Sequence, residues 1–214
     1  MAGLLKPRAG VIRLRGESVQ TMSLARRARR IAFLPQHPPR ELAFTVREVV
    51  LMGRFPHRSL GLFESVEDDR VANEAMKRTG VAELADRPLA SLSGGEAQLV
   101  HLAATVAQGG DVLLCDEPTA ALDLRHQLAI LSTLRGLAHE GRAVVFVTHD
   151  LNMAARFASR MLLLHRGRMA RVGLASEVLQ SEVLSSVYGV RVVALGETPP
   201  GWIAPDLSDR DLSP

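Results

Sequence analysis

A chain of 214 residues, 47% hydrophobic and 23% charged, can bury a sizeable core, which excludes disorder as its dominant state. Lysine plus arginine exceed aspartate plus glutamate by only 26 to 23, so no nucleic-acid footprint follows from charge, even with a sequence pI near 9.7. A single cysteine, Cys115, rules out an intramolecular disulfide, and no apolar run approaches the roughly 20 residues of a bilayer-spanning helix.

In chain order, residues 10–15 predict a strand, followed by Gly16 and a short basic helix through Arg26, Arg27, Arg29 and Arg30, read as a solvated face. Ile31–Leu34 forms a brief apolar strand that runs into Pro35 and Gln36, and Pro38-Pro39 then breaks the chain. From Thr45 to about Ala107 the pattern turns helical, with one segment around Val46–Met52 and another over Val66–Arg78. Two β-type runs, Val112–Cys115 and Val144–Val147, flank a helix from Leu124 to about His139 that ends at Gly141, which predicts a parallel βαβ unit. A helix over Leu151–Ala158 leads to a hairpin of Met161–Leu164 and Met169–Val172 turning at Arg166-Gly167. Residues 194–214, rich in Pro, Asp and Ser from Glu197 onward, read as a loose tail.

Three segments carry chemistry. Asp111-Val-Leu-Leu-Cys-Asp116-Glu117-Pro118 is an apolar strand that delivers two adjacent carboxylates at its C-terminal end, where open parallel sheets keep their ligand sites. In nucleotide hydrolysis the first would hold magnesium and the second would orient and deprotonate the attacking water; the bland alternative is a strand ending in solvated acids. Leu92-Ser93-Gly94-Gly95-Glu96 opens a helix with capping-box spacing between Ser93 and Glu96. The paired glycines weaken a first turn, yet they bare backbone N–H groups at the positive end of a helix dipole, a surface suited to phosphate. Val144–Val147 releases Thr148-His149-Asp150 at the same predicted sheet edge, where Gln36 and Asp123 would add further polar groups.

Together and in this order, these segments resemble the nucleotide-binding subunits of ATP-binding cassette (ABC) transporters. Gln36 matches the family's Q-loop, Leu92–Glu96 its signature, Asp111–Glu117 its Walker B strand, Ala120–Asp123 its D-loop and His149 its switch histidine. Thr45–His57, His149–Ala155 and Val183–Gly189 are similar to the branch that energises import of ferric siderophores, haem and cobalamin. The resemblance implies an α/β fold: a P-loop NTPase (RecA-like) parallel sheet core over residues 1–37 and 109–193, with a helical signature subdomain inserted over 38–108. It implies ATP and Mg2+ as cofactors, catalytic Glu117, His149 and Gln36, metal-side Asp116 and Gln36, and nucleotide-binding Ser93, Gly94, Gly95 and Asp123. Its implied partners are a second ATP-binding subunit, membrane permease subunits docked on the helical insertion and, indirectly, a substrate-binding protein. No nucleic acid is implied, and the expected location is peripheral, on the cytoplasmic face of the membrane.

One element of the family pattern does not occur. The phosphate cradle G-x-x-x-x-G-K-[ST] needs a Gly-Lys pair, and the only lysines here are Lys6, after Leu5, and Lys77, after Met76. The sequence is therefore expected to start a few dozen residues beyond the cradle. In the family the cradle strand lies between the strands that carry Glu117 and His149, so unpaired backbone, weak stability and no ATP turnover by this chain alone are expected. In family dimers the signature of one subunit closes on the cradle of the other, so a complete partner could still use Ser93, Gly94 and Gly95. A non-catalytic regulatory subunit is the alternative, disfavoured by the intact Glu117 and His149; a soluble cassette protein of DNA repair or translation is disfavoured by the short insertion and the small arginine patch.

Overall fold

The computed structural model describes residues 3, 5–58, 64–195 and 202–206. The chain divides into two compact units, Met1–Thr148 and His149–Pro214.

The first unit opens with a small hairpin of β1 (Arg13–Leu14) and β2 (Glu17–Ser18). Arg15 and Gly16 both have positive φ, 50° and 83°, the pairing that a tight two-residue hairpin turn demands. The strand expected over residues 10–15 is thus only its last part, and Gly16 closes a hairpin instead of ending a strand. Helix α1 (Leu24–Arg30) is capped by Ser23, and its arginines tie neighbouring segments together. Arg26 pairs with Glu17 at 2.9 Å, Arg30 with Asp111 at 2.6 Å, and Arg29 donates to the Pro56 carbonyl.

Strand β3 (Ile31–Leu34) begins the main sheet. Helices α2 (Val46–Met52) and α3 (Val66–Thr79) follow, each opened by a capping box, Thr45 with Glu48 and Ser65 with Asp68. Helix α4 (Gly94–Ala107) is buried nearly all round, from Ala97 and Leu99 to Val106 and Ala107, because α2, α3 and β3 all pack against it. An all-round apolar sequence has that outcome. Strand β4 (Val112–Asp116), helix α5 (Leu124–His139) and strand β5 (Ala143–Val147) complete the unit, with Ile130, Leu131, Leu134 and Leu137 forming the buried stripe of α5.

The main sheet has three parallel strands in the order β3-β4-β5. Here the structure corrects an expectation: no empty strand slot separates β4 from β5, which pair directly from Val112↔Ala143 to Asp116↔Val147. Buried backbone donors and acceptors must find partners, and two apolar runs of equal length satisfy each other's ladder. β5 is an edge strand of this three-stranded sheet, and Val145 and Val147 on it are 40% and 56% exposed.

The described ends of the segment between α2 and α3 are held from inside. Arg54, with only 11% of its side chain exposed, donates from Nε to Asp68 Oδ1 at 3.0 Å and from a terminal nitrogen to the Ala107 carbonyl at 2.8 Å. Nearby, His57 bonds the Gln108 carbonyl, and Gln108 donates to the Ala28 and Ile31 carbonyls. The Ser65 hydroxyl, and then the Arg54 guanidinium, hold the Asp68 carboxyl below its ordinary 3.8. A lowered folded-state pKa adds stability above the unfolded value that is lost as pH falls through the folded one. Thermal melts between pH 6 and pH 3 therefore show wild type and Asp68→Asn converging below about 3.8; a constant gap down to pH 3 contradicts the assignment.

The second unit contains α6 (Leu151–Phe157), the hairpin β6 (Met161–His165) and β7 (Arg168–Gly173), α7 (Ala175–Val178), α8 (Ser181–Tyr188) and the pair β8 (Val192–Leu195) and β9 (Trp202–Pro205). Its core gathers Leu163, Val178, Leu179, Leu184 and Val192, with Leu151, Ala155 and Ile203 packed against it. The loose tail expected over 194–214 is corrected within the described residues, because β9 pairs with β8 from Val192↔Pro205 to Leu195↔Trp202. The Asn152 amide clamps β9 by donating to the Ile203 carbonyl and accepting from its N–H. The remainder of that tail lies outside the described residues.

Candidate functional site

Parallel register sets the site. Leu34 pairs with Cys115, Cys115 with Phe146 and Asp116 with Val147, so β3, β4 and β5 all end at one edge of the first unit's sheet. Gln36 lies two residues beyond Leu34 and is exposed, while Asp116 and Glu117 are half-buried. The structure thus brings Gln36, Asp116 and Glu117 to a common edge. His149 follows two residues beyond Val147, is exposed and opens the second unit, where its neighbour Asp150 caps α6 by accepting from the Met153 N–H.

Glu117 has φ 42°, a left-handed backbone that costs a non-glycine residue on the order of 1 kcal/mol or more. Two backbone bonds hold it there: its N–H donates to the Val147 carbonyl at 3.0 Å and its carbonyl accepts from the Ala120 N–H at 3.1 Å. The next residues are pinned as well. Gln98 of α4, itself buried, donates to the Pro118 carbonyl at 3.2 Å, and Gln127 of α5 reaches the Thr119 carbonyl at 3.4 Å. Gln98 therefore seats the first turns of α4 beside the loop that follows Glu117.

At the head of α4 the capping box is complete. The Ser93 N–H and hydroxyl both donate to Glu96 Oε2 at 2.8 Å, and the Glu96 N–H returns a bond to the Ser93 hydroxyl. Those bonds from Ser93, backbone first, hold the Glu96 carboxyl below its ordinary range. Ser93 is exposed and Gly94 half-exposed, so that part of the turn can meet a ligand. Gly95 is different. It is buried, and a Cβ placed on it would lie 2.5 Å from Cγ of the His126 imidazole. Gly94 is the more open of the two, and a Cβ placed there would come within 2.9 Å of the Arg40 guanidinium.

Asp123, expected to contact nucleotide, has an internal task. It caps α5 by accepting from the His126 N–H at 3.0 Å, and its second oxygen accepts from His126 Nδ1 at 2.7 Å. These bonds, the backbone one foremost, lower the Asp123 carboxyl below its ordinary range. Sequence reasoning missed His126 and Arg40. The Asp-x-x-His spacing at a helix start was a usable signal for the former; nothing local signalled the latter. Cys115 is buried and its thiol is pushed up to about 12, an inert core residue.

Among the described residues no three His, Cys, Asp or Glu side chains converge as a metal cluster. A carboxylate at Asp116 with an amide at Gln36 suits magnesium only where phosphate oxygens and water complete the shell. The edge fits the metal and water side of a magnesium triphosphate; the 214 residues hold no Gly-Lys pair for the phosphate side. No helix among the described residues is long and apolar enough to cross a membrane.

The family model described as ABC transporter matches residues 1–120. The cobalamin import ATP-binding protein BtuD of Halobacterium salinarum is 44% identical over 200 residues, covering 93% of this chain and 50% of that protein. The iron(3+)-hydroxamate import ATP-binding protein FhuC of Bacillus subtilis is 42% identical over 191 residues, covering 89% of this chain and 71% of that protein. The chain thus spans about half the length of the cobalamin-import relatives it matches. An inward-facing structure of a metal-chelate type ABC transporter superposes with TM-score 0.76 at 32% identity, covering 84% of this chain and 74% of that one.

Proposed function

The chain belongs to the ABC transporter family, and on that premise we propose that it is an ATP-binding subunit energising an importer of iron complexes, as siderophore or haem, or of cobalamin. The observation that carries the reading is the shared register that ends β3, β4 and β5 at one sheet edge, with Asp116 closing β4 and Gln36 and Glu117 on the loops beyond. The import names of its relatives support the cargo class.

In this reading Asp116 and Gln36 would hold the magnesium of the bound nucleotide, which neutralises charge on the phosphates. Glu117 accepts the proton of the attacking water, from a backbone position fixed by bonds to Val147 and Ala120. Ser93 and Gly94 present the exposed first turn of α4 to phosphate, its N–H dipoles favouring negative charge. His149 steadies the terminal phosphate. Because the 214 residues contain no Gly-Lys pair, the reading assigns ATP turnover to this chain only with a cradle supplied from elsewhere. The helical insertion of α2, α3 and α4 is the docking body for a permease, and a second ATP-binding subunit completes the dimer.

The experiment is uptake. Vesicles carrying a permease of this importer type, loaded with ATP and this subunit joined to a cradle-bearing N-terminal segment, are offered a ferric hydroxamate, haem and cobalamin in turn. ATP-dependent accumulation of one of them is expected. Accumulation that needs the chain but survives loss of Glu117 and His149 favours a regulatory subunit, and none at all overturns the importer reading.

A further inference from the structure

Two turns, at the head of α4 and at Asp123, are joined by one side chain. His126 lies on the first turn of α5, with 21% of its side chain exposed. Its Nδ1 is fixed by Asp123 at 2.7 Å, and its ring covers Gly95 so closely that an added Cβ would stand 2.5 Å from Cγ and 2.6 Å from Cδ2 and Nδ1. Ordinary side chains do not approach so near. Because the close atoms are at the root of the ring, rotating the tip away would not relieve the contact. The whole imidazole would have to leave, and with it the bond to Asp123. Glu96, one residue on, is also within electrostatic reach of the ring.

We propose that His126 is a positioning residue that locks the Ser93–Glu96 turn to the turn at Asp123, and that position 95 is glycine because the imidazole occupies the space of a side chain there. The functional consequence rests on the phosphate-binding reading above: a nucleotide that moves the head of α4 moves the Asp123 turn with it. The lock itself does not depend on that reading.

Its test is a pair of double-variant comparisons on the 214-residue chain, without nucleotide. Gly95→Ala alone lowers Tm by on the order of 5 °C, because the ring is displaced. In a His126→Ala background the same change leaves Tm unchanged or raises it, since alanine outranks glycine inside a helix once the space is free. If Gly95→Ala alone does not fold while the double variant does, the conclusion is the same. The second readout is the Gly95 amide resonance. Asp123→Asn keeps a competent helix cap but weakens the hold on His126. The resonance therefore moves with Asp123→Asn in wild type and stays put in the His126→Ala background. An equal loss from Gly95→Ala in both backgrounds, or a Gly95 amide indifferent to Asp123, overturns the proposal. Lack of ATP hydrolysis in any assembly would count against the proposed function and leave the lock standing.

Discussion

Replacing Glu117 by glutamine, in a form of the chain fused to the cradle-bearing N-terminal segment of a hydroxamate-import relative, lowers ATP turnover about 10²–10⁴-fold and leaves nucleotide affinity nearly unchanged. The expectation follows from geometry and then from chemistry. Glu117 directly follows β4 at the edge where β3 and β5 also end, and its backbone is held at φ 42° by bonds to Val147 and Ala120. Glutamine keeps the shape and the backbone bonds but cannot take a proton from water. Turnover and equilibrium binding of ATP, measured on the same preparation, separate the two effects. Undiminished hydrolysis removes Glu117 from the role of base, and lost binding shows that it holds the nucleotide instead.

Arg54→Ala costs the first unit about 3–5 kcal/mol, enough to lower Tm by on the order of 10 °C. Arg54 and Asp68 have 11% and 8% of their side chains exposed, and Arg54 also satisfies the last carbonyl of α4, at Ala107. Removing the guanidinium leaves a buried carboxylate and a buried carbonyl unpaired, while Asp68 still accepts from Ser65. Arg47→Ala is the contrast, because its pair with Asp69 is 3.8 Å long and 38% and 48% exposed, where solvent screens the attraction to under about 1 kcal/mol. Chemical denaturation of the three proteins decides the matter; equal losses from Arg54→Ala and Arg47→Ala contradict the buried-pair account.

The parts legible in the sequence were those set by local rules. A capping box announced the helix at Ser93, and apolar runs at Ile31–Leu34 and Val112–Cys115 became neighbouring parallel strands. Gln36, Asp116 and Glu117 could be assigned to one edge because parallel strands that end in register present their following loops together. What escaped was decided by contacts between distant segments. β9 is a short apolar tetrapeptide within a Pro- and Asp-rich stretch and is held by pairing with β8 and by the Asn152 clamp. β4 and β5 form the parallel βαβ unit read from the sequence but pair directly, without the strand expected between them. The burial of Gly95 beneath His126 joins two motifs well separated in sequence, and the arginines of α1, exposed or partly exposed as expected, also reach Glu17, Asp111 and Pro56.

The most direct measurement is magnesium-dependent ATP hydrolysis by the 214-residue chain beside the same chain carrying a grafted Gly-x-x-x-x-Gly-Lys-Ser segment. The account predicts no turnover in the first and turnover in the second. Hydrolysis by the ungrafted chain alone, or none by a grafted chain that folds and binds ATP, would contradict it.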